Sequence, residues 1–284
     1  MDTAGDEPFA ESTMADRESG GPREKILLAL AAEIEQNPPT IAVIGVSGVG
    51  KSSTINALFR TDLPTSDTVA CTREFRAVDL AVRFQAEQAS AATPAPKVRL
   101  RVVDAPGLGE DLHADPGYLD QYRDNLGRCD AILWVMAARN RAIALDQRYL
   151  GELAEYQDKM VFGINQVDLV EPMDWRVSPF NLPSAAQQAN LESIVDDRAA
   201  RIGRVIGRPP VVIGYSSRRG YRLEHLFAAI LDSCPPQRRW IYAGLRNFSY
   251  LDFIPVQDQR KLLFRAVHGL ARMLGSSTKT GRTK

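Results

Sequence analysis

Cysteine is nearly missing: Cys71, Cys129 and Cys234 are the only three, odd in number and widely separated. That spacing suggests neither a disulfide framework nor a zinc cluster, and leaves ordinary buried or loop thiols. Long apolar runs are missing too. The longest, Ala131 to Ala138, is far too short to span a bilayer, and the acidic, polar opening residues do not resemble a signal peptide. The expected setting is the cytoplasm, with peripheral membrane association as the variant. An excess of either charge is also lacking, since 35 basic and 35 acidic residues cancel. That argues against a generic nucleic-acid binder.

The balance is uneven along the chain. Residues 1–23 are polar and acidic with almost no large apolar side chains, and read as a disordered tail. From Gln237 onward Arg238, Arg239, Arg246, Arg260, Lys261, Arg265, Arg272, Lys279, Arg282 and Lys284 face only Asp252 and Asp258. Such a stretch is either a solvated face or a surface for ribosomal RNA, a membrane or a protein target. With 284 residues and 44% apolar content the chain can bury one substantial core and a small appendage.

What is present begins with an apolar, β-branched run from Thr40 to Val46, the pattern of a buried parallel strand. It ends directly on Gly45-Val-Ser-Gly-Val-Gly-Lys-Ser52, after which Ile55, Leu58 and Phe59 recur at helical spacing. A G-x-x-x-x-G-K-[ST] loop between strand and helix is a phosphate cradle, because glycines let successive N–H groups turn inward. The helix aims its positive end at the same anion. The candidate phosphate-binding set is Gly45, Ser47, Gly48, Val49, Gly50, Lys51, Ser52 and Ser53, with Lys51 the point charge and Ser52 a Mg²⁺ ligand.

The rest alternates. A helix over 24–37 precedes the first strand and stops at Pro38-Pro39. Thr61 to Thr72 reads as a mobile loop, and strands follow at Glu74 to Phe84 and Lys97 to Asp104, joined by an Ala/Pro-rich insert. Then come a helix near 117–126, a strand at 131–136, a helix near 146–156 and a strand at 160–164. A long polar segment, 171–182, leads to a helix over 184–205, a strand at 210–215 and a helix at 222–231. The alternation predicts an α/β fold, three-layered around a mainly parallel six-stranded sheet. The nucleotide-binding domain covers 38–234, with a helical appendage over 235–275 and a basic tail at 276–284.

Ligands in such folds sit at the carboxyl ends of the strands. Those ends carry Asp104-Ala-Pro-Gly107, then Asn165-Gln166-Val167-Asp168, then Ser216-Ser217-Arg218. Asp104 can hold Mg²⁺ through water, and the Gly107 N–H can reach a γ-phosphate.

With these elements in this order, the chain resembles the Ras-like GTPase superfamily and its Era-like, translation-factor-related, ribosome-binding branch. It is also similar to immunity-related and septin-like GTPases. The resemblance implies binding of GTP and GDP with Mg²⁺. It implies that Asp168 accepts hydrogen bonds from guanine N1 and N2, that Asn165 braces the phosphate loop against the base loop, and that the N–H near Ser217 meets guanine O6. It also implies a Mg²⁺-sensing threonine in the first mobile loop. Thr65, Thr68 and Thr72 are candidates, and Thr72 is favoured because Ala70-Cys-Thr-Arg-Glu74 resembles the Era-like G-T-T-R-D segment. The catalytic set is then Lys51, Thr72 and Gly107, with Ser52, Thr72 and Asp104 on the metal.

Three positions depart from the family pattern. Gln166 stands where lysine is usual, Gly48 where potassium-activated relatives have asparagine, and Leu108 where Ras-like proteins carry the water-positioning glutamine. Leucine cannot orient water. The expectation is a nucleotide-dependent switch with slow intrinsic hydrolysis, completed by a partner or by a homodimer. Arg73, Arg139, Arg141 and His113 lie on loops that face either the site or solvent. The alternatives are a GTP-dependent assembly or membrane-associated protein, using the apolar and basic residues from Trp240 to Leu274, and a binding-only pseudo-GTPase.

Overall fold

The computed structural model describes residues 32–65, 74–83, 97–109, 115–141, 143–176 and 181–238. In chain order the strands are β1 (Thr40–Ile44), β2 (Arg76–Arg83), β3 (Lys97–Asp104), β4 (Ala131–Ala137), β5 (Met160–Asn165), the short β6 (Trp175–Arg176) and β7 (Leu182–Pro183), and β8 (Val212–Gly214). The helices are α1 (Lys51–Phe59), α2 (Asp115–Leu126), α3 (Ala144–Glu152), α4 (Ala185–Ile206) and α5 (Leu223–Asp232).

Six strands form one sheet in the order β2-β3-β1-β4-β5-β8, parallel except for β2. β1, β4 and β5 are buried almost throughout, as parallel strands covered on both faces must be. β2 is the half-exposed edge, and its Asp79 meets the directly opposed Arg101 in a two-pronged pair at 2.8 and 3.0 Å. That hydrogen bonding holds the Asp79 carboxyl below its ordinary value.

From β1 the chain steps one way to β2 and β3, then crosses back to β4, β5 and β8. Right-handed crossovers therefore place α1 on one face and α3 and α4 on the other. α5 joins α1, where Phe59 and Phe227 meet edge to face at 5.8 Å. The reversal of direction occurs beside β1, which puts the crevice for a ligand at its carboxyl end.

Three elements differ from the sequence expectation. The helix near 146–156 ends at Glu152 and tightens into a 3₁₀ run, Ala154–Lys159. Leu153 is buried there and the Tyr156 hydroxyl donates to the Arg123 carbonyl at 3.0 Å, which turns the chain away from the helix axis. The last strand is shorter than 210–215, and the polar segment 171–182 contains β6 and the first residue of β7, which pair antiparallel. α4 starts and stops where its caps dictate: Ser184 accepts the Gln187 N–H, and Gly207 closes the helix at φ 72°.

Residues 32–36 are helical, and 24–31 of the expected first helix lie outside the described residues. So do the tail at 1–23 and all of the expected appendage and basic tail beyond residue 238. At the amino-terminal end of the sheet Arg238 bonds the Asn37 carbonyl at 2.8 Å and pairs with Asp130 at 2.8 Å. Asp130 in turn accepts the Thr40 N–H at 2.9 Å.

Candidate functional site

β1 delivers the chain to a loop that only glycine can build. Gly50 sits at φ 89°, and a Cβ there would lie 2.5 Å from the Asn165 side-chain nitrogen. α1 starts at the next residue. Lys51 folds back over the loop, its ammonium donating to the carbonyls of Gly45 and Val46, both at 3.2 Å. Beside it runs the segment after β3. Leu108 donates its N–H to the Gly45 carbonyl at 3.2 Å, and a Cβ at Gly107 would lie 2.8 Å from that of Ser47. The phosphate loop and Asp104-Ala-Pro-Gly107 are therefore in backbone contact.

The Ser52 hydroxyl donates to the Asp104 carboxylate at 2.7 Å, and Asp104 is buried. A hydroxyl and a carboxylate are hard oxygen donors, the kind Mg²⁺ takes alongside water and phosphate oxygens. Among the described residues no group of three or more His, Cys, Asp or Glu gathers as an all-protein cage. The donor set thus fits a cation that completes its shell from phosphate and water. Leu108 is 2% exposed and belongs to the core, so it presents nothing to an attacking water.

At the end of β5, Asn165 is buried and serves three backbone groups. Its amide donates to the Val49 carbonyl at 3.2 Å, while its oxygen accepts the N–H groups of Gln166 at 2.8 Å and Ser217 at 3.1 Å. Gln166 turns at φ 64°. That turn leads into a short 3₁₀ run, Val167–Leu169, which carries the buried Asp168. One oxygen of Asp168 accepts the Ser216 hydroxyl at 2.7 Å, and the same hydroxyl oxygen accepts the Arg219 N–H at 3.0 Å. Of the N–H groups near Ser217, that of Ser217 itself is taken by Asn165. The next N–H, that of Arg218, makes no hydrogen bond among the described residues.

Three buried hydroxyls, those of Thr54, Tyr122 and Tyr215, carry no motif in the sequence. Thr54 on α1 donates or accepts with Tyr215 at 2.7 Å, one residue before Ser216, and its oxygen also lies 2.7 Å from the Gly50 carbonyl. Burial pushes the Tyr215 hydroxyl well above its ordinary pKa, so it remains a neutral phenol. Tyr122 on α2 donates to the Pro106 carbonyl and packs edge to face on Phe75 at 5.0 Å, anchoring the segment after β3. A polar residue on an apolar face was the one signal available, and it names no partner.

The expected set is thus divided. The phosphate loop, Asp104, Gly107, Asn165, Gln166, Asp168, Ser216, Ser217 and Arg218 share the carboxyl edge of the sheet. Arg139 and Arg141 are exposed on the loop after β4, which Arg198 of α4 holds through the Asn140 carbonyl. Thr68, Thr72, Arg73 and His113 lie outside the described residues.

Residues 40–166 match the family model described as 50S ribosome-binding GTPase. The uncharacterized protein YfjP of Escherichia coli K12 is 36% identical over 156 residues, 54% of this chain and 48% of that protein. Septin-2 of Bos taurus is 36% identical over 74 residues, 26% of this chain and 20% of that protein. The chain spans about half or less of the length of these relatives. Among solved structures, one of the chloroplast translocon components atToc33 and psToc159 superposes with a TM-score of 0.52 at 17% identity, covering 76% of this chain and 91% of that one. Loop, sheet order and family match agree: the fold is that of a P-loop GTPase domain, and residues 40–166, a little under half of the chain, are similar to the 50S ribosome-binding GTPase family.

Proposed function

We propose that the chain binds GTP and GDP with Mg²⁺ and hydrolyses GTP, as a cytoplasmic switch whose output is a binding event on another macromolecule. The observation that carries this reading is Asn165. One buried amide ties the phosphate loop at Val49, the Asp168 segment at Gln166 and the base loop at Ser217. Phosphate recognition and base recognition thereby fall on one rigid edge.

The roles follow from the chemistry of each group. Asp168, oriented by Ser216, accepts the N1 and N2 hydrogens of guanine, which adenine does not offer, and adenine would leave a buried carboxylate unpaired. The Arg218 N–H serves the purine carbonyl. Lys51 exchanges its loop carbonyls for phosphate oxygens, and Ser52 and Asp104, with Thr72, hold the metal. Mg²⁺, when bound, neutralises charge on the outer phosphates.

A second reading concerns how hydrolysis is completed. Leu108 is packed away, and Arg139 and Arg141 are exposed just after β4, the strand beside β1. Dimerization is described as important for the GTPase activity of atToc33 and psToc159. We place the missing groups on a partner or on a second copy of this chain bound across the nucleotide.

Titration with GDP and ADP, for the wild type and Asp168→Asn, tests the base reading. Adenine binding as tight as guanine, or an unchanged preference in the variant, overturns it. Single-turnover hydrolysis compared with Lys51→Ala and Thr72→Ala tests the chemistry. A wild-type rate equal to buffer and to both variants leaves binding alone.

A further inference from the structure

The hairpin between the Asp168 segment and α4 leans on the base loop, and a chain of hydrogen bonds runs inward from it. The Trp175 indole N–H donates to the Asn181 side-chain oxygen at 2.9 Å, and the Asn181 side-chain nitrogen donates to the Arg219 carbonyl at 2.7 Å. The Arg219 N–H donates to the Ser216 hydroxyl oxygen at 3.0 Å, and that hydroxyl donates to Asp168 at 2.7 Å. Every donor in the series finds an acceptor, so the direction of each bond is fixed. Trp175 also meets Tyr221 edge to face at 5.1 Å, and Tyr221 closes the loop by exchanging two backbone hydrogen bonds with Ser216, both at 3.1 Å.

We infer that Asn181, locked by Trp175, is a positioning residue for base specificity: it fixes the backbone on both sides of the Arg219 Cα, hence the Ser216 hydroxyl, hence the direction in which Asp168 presents its carboxylate. This rests on the guanine reading above. Asn181 occupies φ 49°, a left-handed conformation that asparagine tolerates through its short polar side chain. Its side chain spends donor and acceptor on two different partners, which no aliphatic residue can do.

The test uses the full chain and two nucleotides that differ only at the 2-amino group, GDP and IDP, competed against a fluorescent guanine nucleotide. Asn181→Gly accepts the same backbone angle and deletes both bonds. Trp175→Phe keeps a ring on Tyr221 and deletes the indole N–H. The expected result is that the GDP-over-IDP preference falls by about fivefold in Asn181→Gly and about twofold in Trp175→Phe, with IDP weakened less than GDP because it offers Asp168 only the N1 hydrogen. A merely structural role would weaken both nucleotides together and leave the ratio alone, and an unchanged ratio overturns the inference. Should Asn181→Gly not fold, Trp175→Phe decides on the same ratio. If the wild type itself fails to prefer GDP over IDP and ADP, the guanine reading is what has failed. A wild type that prefers GDP with variants that keep the ratio sinks the hairpin alone.

Discussion

Replacing Asn165 by alanine removes one side chain that serves backbone groups on three segments, the Val49 carbonyl at 3.2 Å and the Gln166 and Ser217 N–H groups at 2.8 and 3.1 Å. At about 1 kcal/mol per hydrogen bond, plus about 1 to 2 for a backbone group left buried and unpaired, stability falls by roughly 3–5 kcal/mol. A domain stable by about 5–15 kcal/mol survives that loss, so binding can still be measured. The phosphate loop and base loop are then tied less firmly, and ordering them falls to the nucleotide. Fixing even two residues costs about 2–3 kcal/mol, which corresponds to a Kd for GDP weaker by roughly 30- to 150-fold. Urea unfolding of the nucleotide-free protein and calorimetric titration with GDP give the two quantities separately. A full loss of stability with GDP affinity within about threefold of wild type would refute the bracing role and reduce Asn165 to a core amide. Asn165→Asp refines the experiment, since it keeps the acceptor for both N–H groups but turns a carboxylate toward the Val49 carbonyl.

Three further outcomes are expected. Leu108→Gln gives no gain in single-turnover hydrolysis and costs about 1–3 kcal/mol in urea unfolding, because the amide enters a core position only 2% exposed; a rate gain would mean that this side chain reaches the phosphates. Gly107→Ala sets a Cβ 2.8 Å from that of Ser47 and pries the two segments apart. It should weaken a non-hydrolysable GTP analogue about tenfold more than GDP in a binding titration, and equal weakening would count against contact between Gly107 and the γ-phosphate. Burial raises the Asp146 carboxyl above its ordinary value, although Trp134 donates to it and Arg198 lies near. A folded pKa above the unfolded one means that the charged form costs stability at neutral pH, a cost that fades as pH falls toward the unfolded value. Asp146→Asn should therefore raise the urea midpoint at about pH 7 and lose that advantage near about pH 4; an advantage that grew on acidification would reverse the assignment.

The positions of the site were legible because each sits where a strand ends. Apolar runs mark β1, β4 and β5 and alternation marks β3, and the polar residues at their ends, Asp104 closing β3, Asn165 closing β5 and Asp168 just past it, stand out against that background. The directions of individual groups were not legible. Nothing in Ser216-Ser217-Arg218 says that the Ser217 N–H is taken by Asn165, since that depends on how closely β5 and β8 approach. Thr54 and Tyr215 lie 161 residues apart, so the pattern of neither segment points to the other. The β6–β7 hairpin eluded a reading by alternation for a simpler reason: two residues per strand are too few to show a period of two. The early end of α3 likewise turns on Tyr156 reaching Arg123, a tertiary contact overriding a helical pattern.

Arg238, fastened to Asp130 and Asn37, stands at the amino-terminal end of the sheet. β1 runs five residues, about 17 Å, from Thr40 beside that anchor to the phosphate loop. Residue 238 therefore stands at one pole of the domain and the phosphate loop at the other. A molecule bound beside Arg238 and one bound at the phosphate loop would not compete for surface. Through the described residues, β1 is the direct route between the two poles.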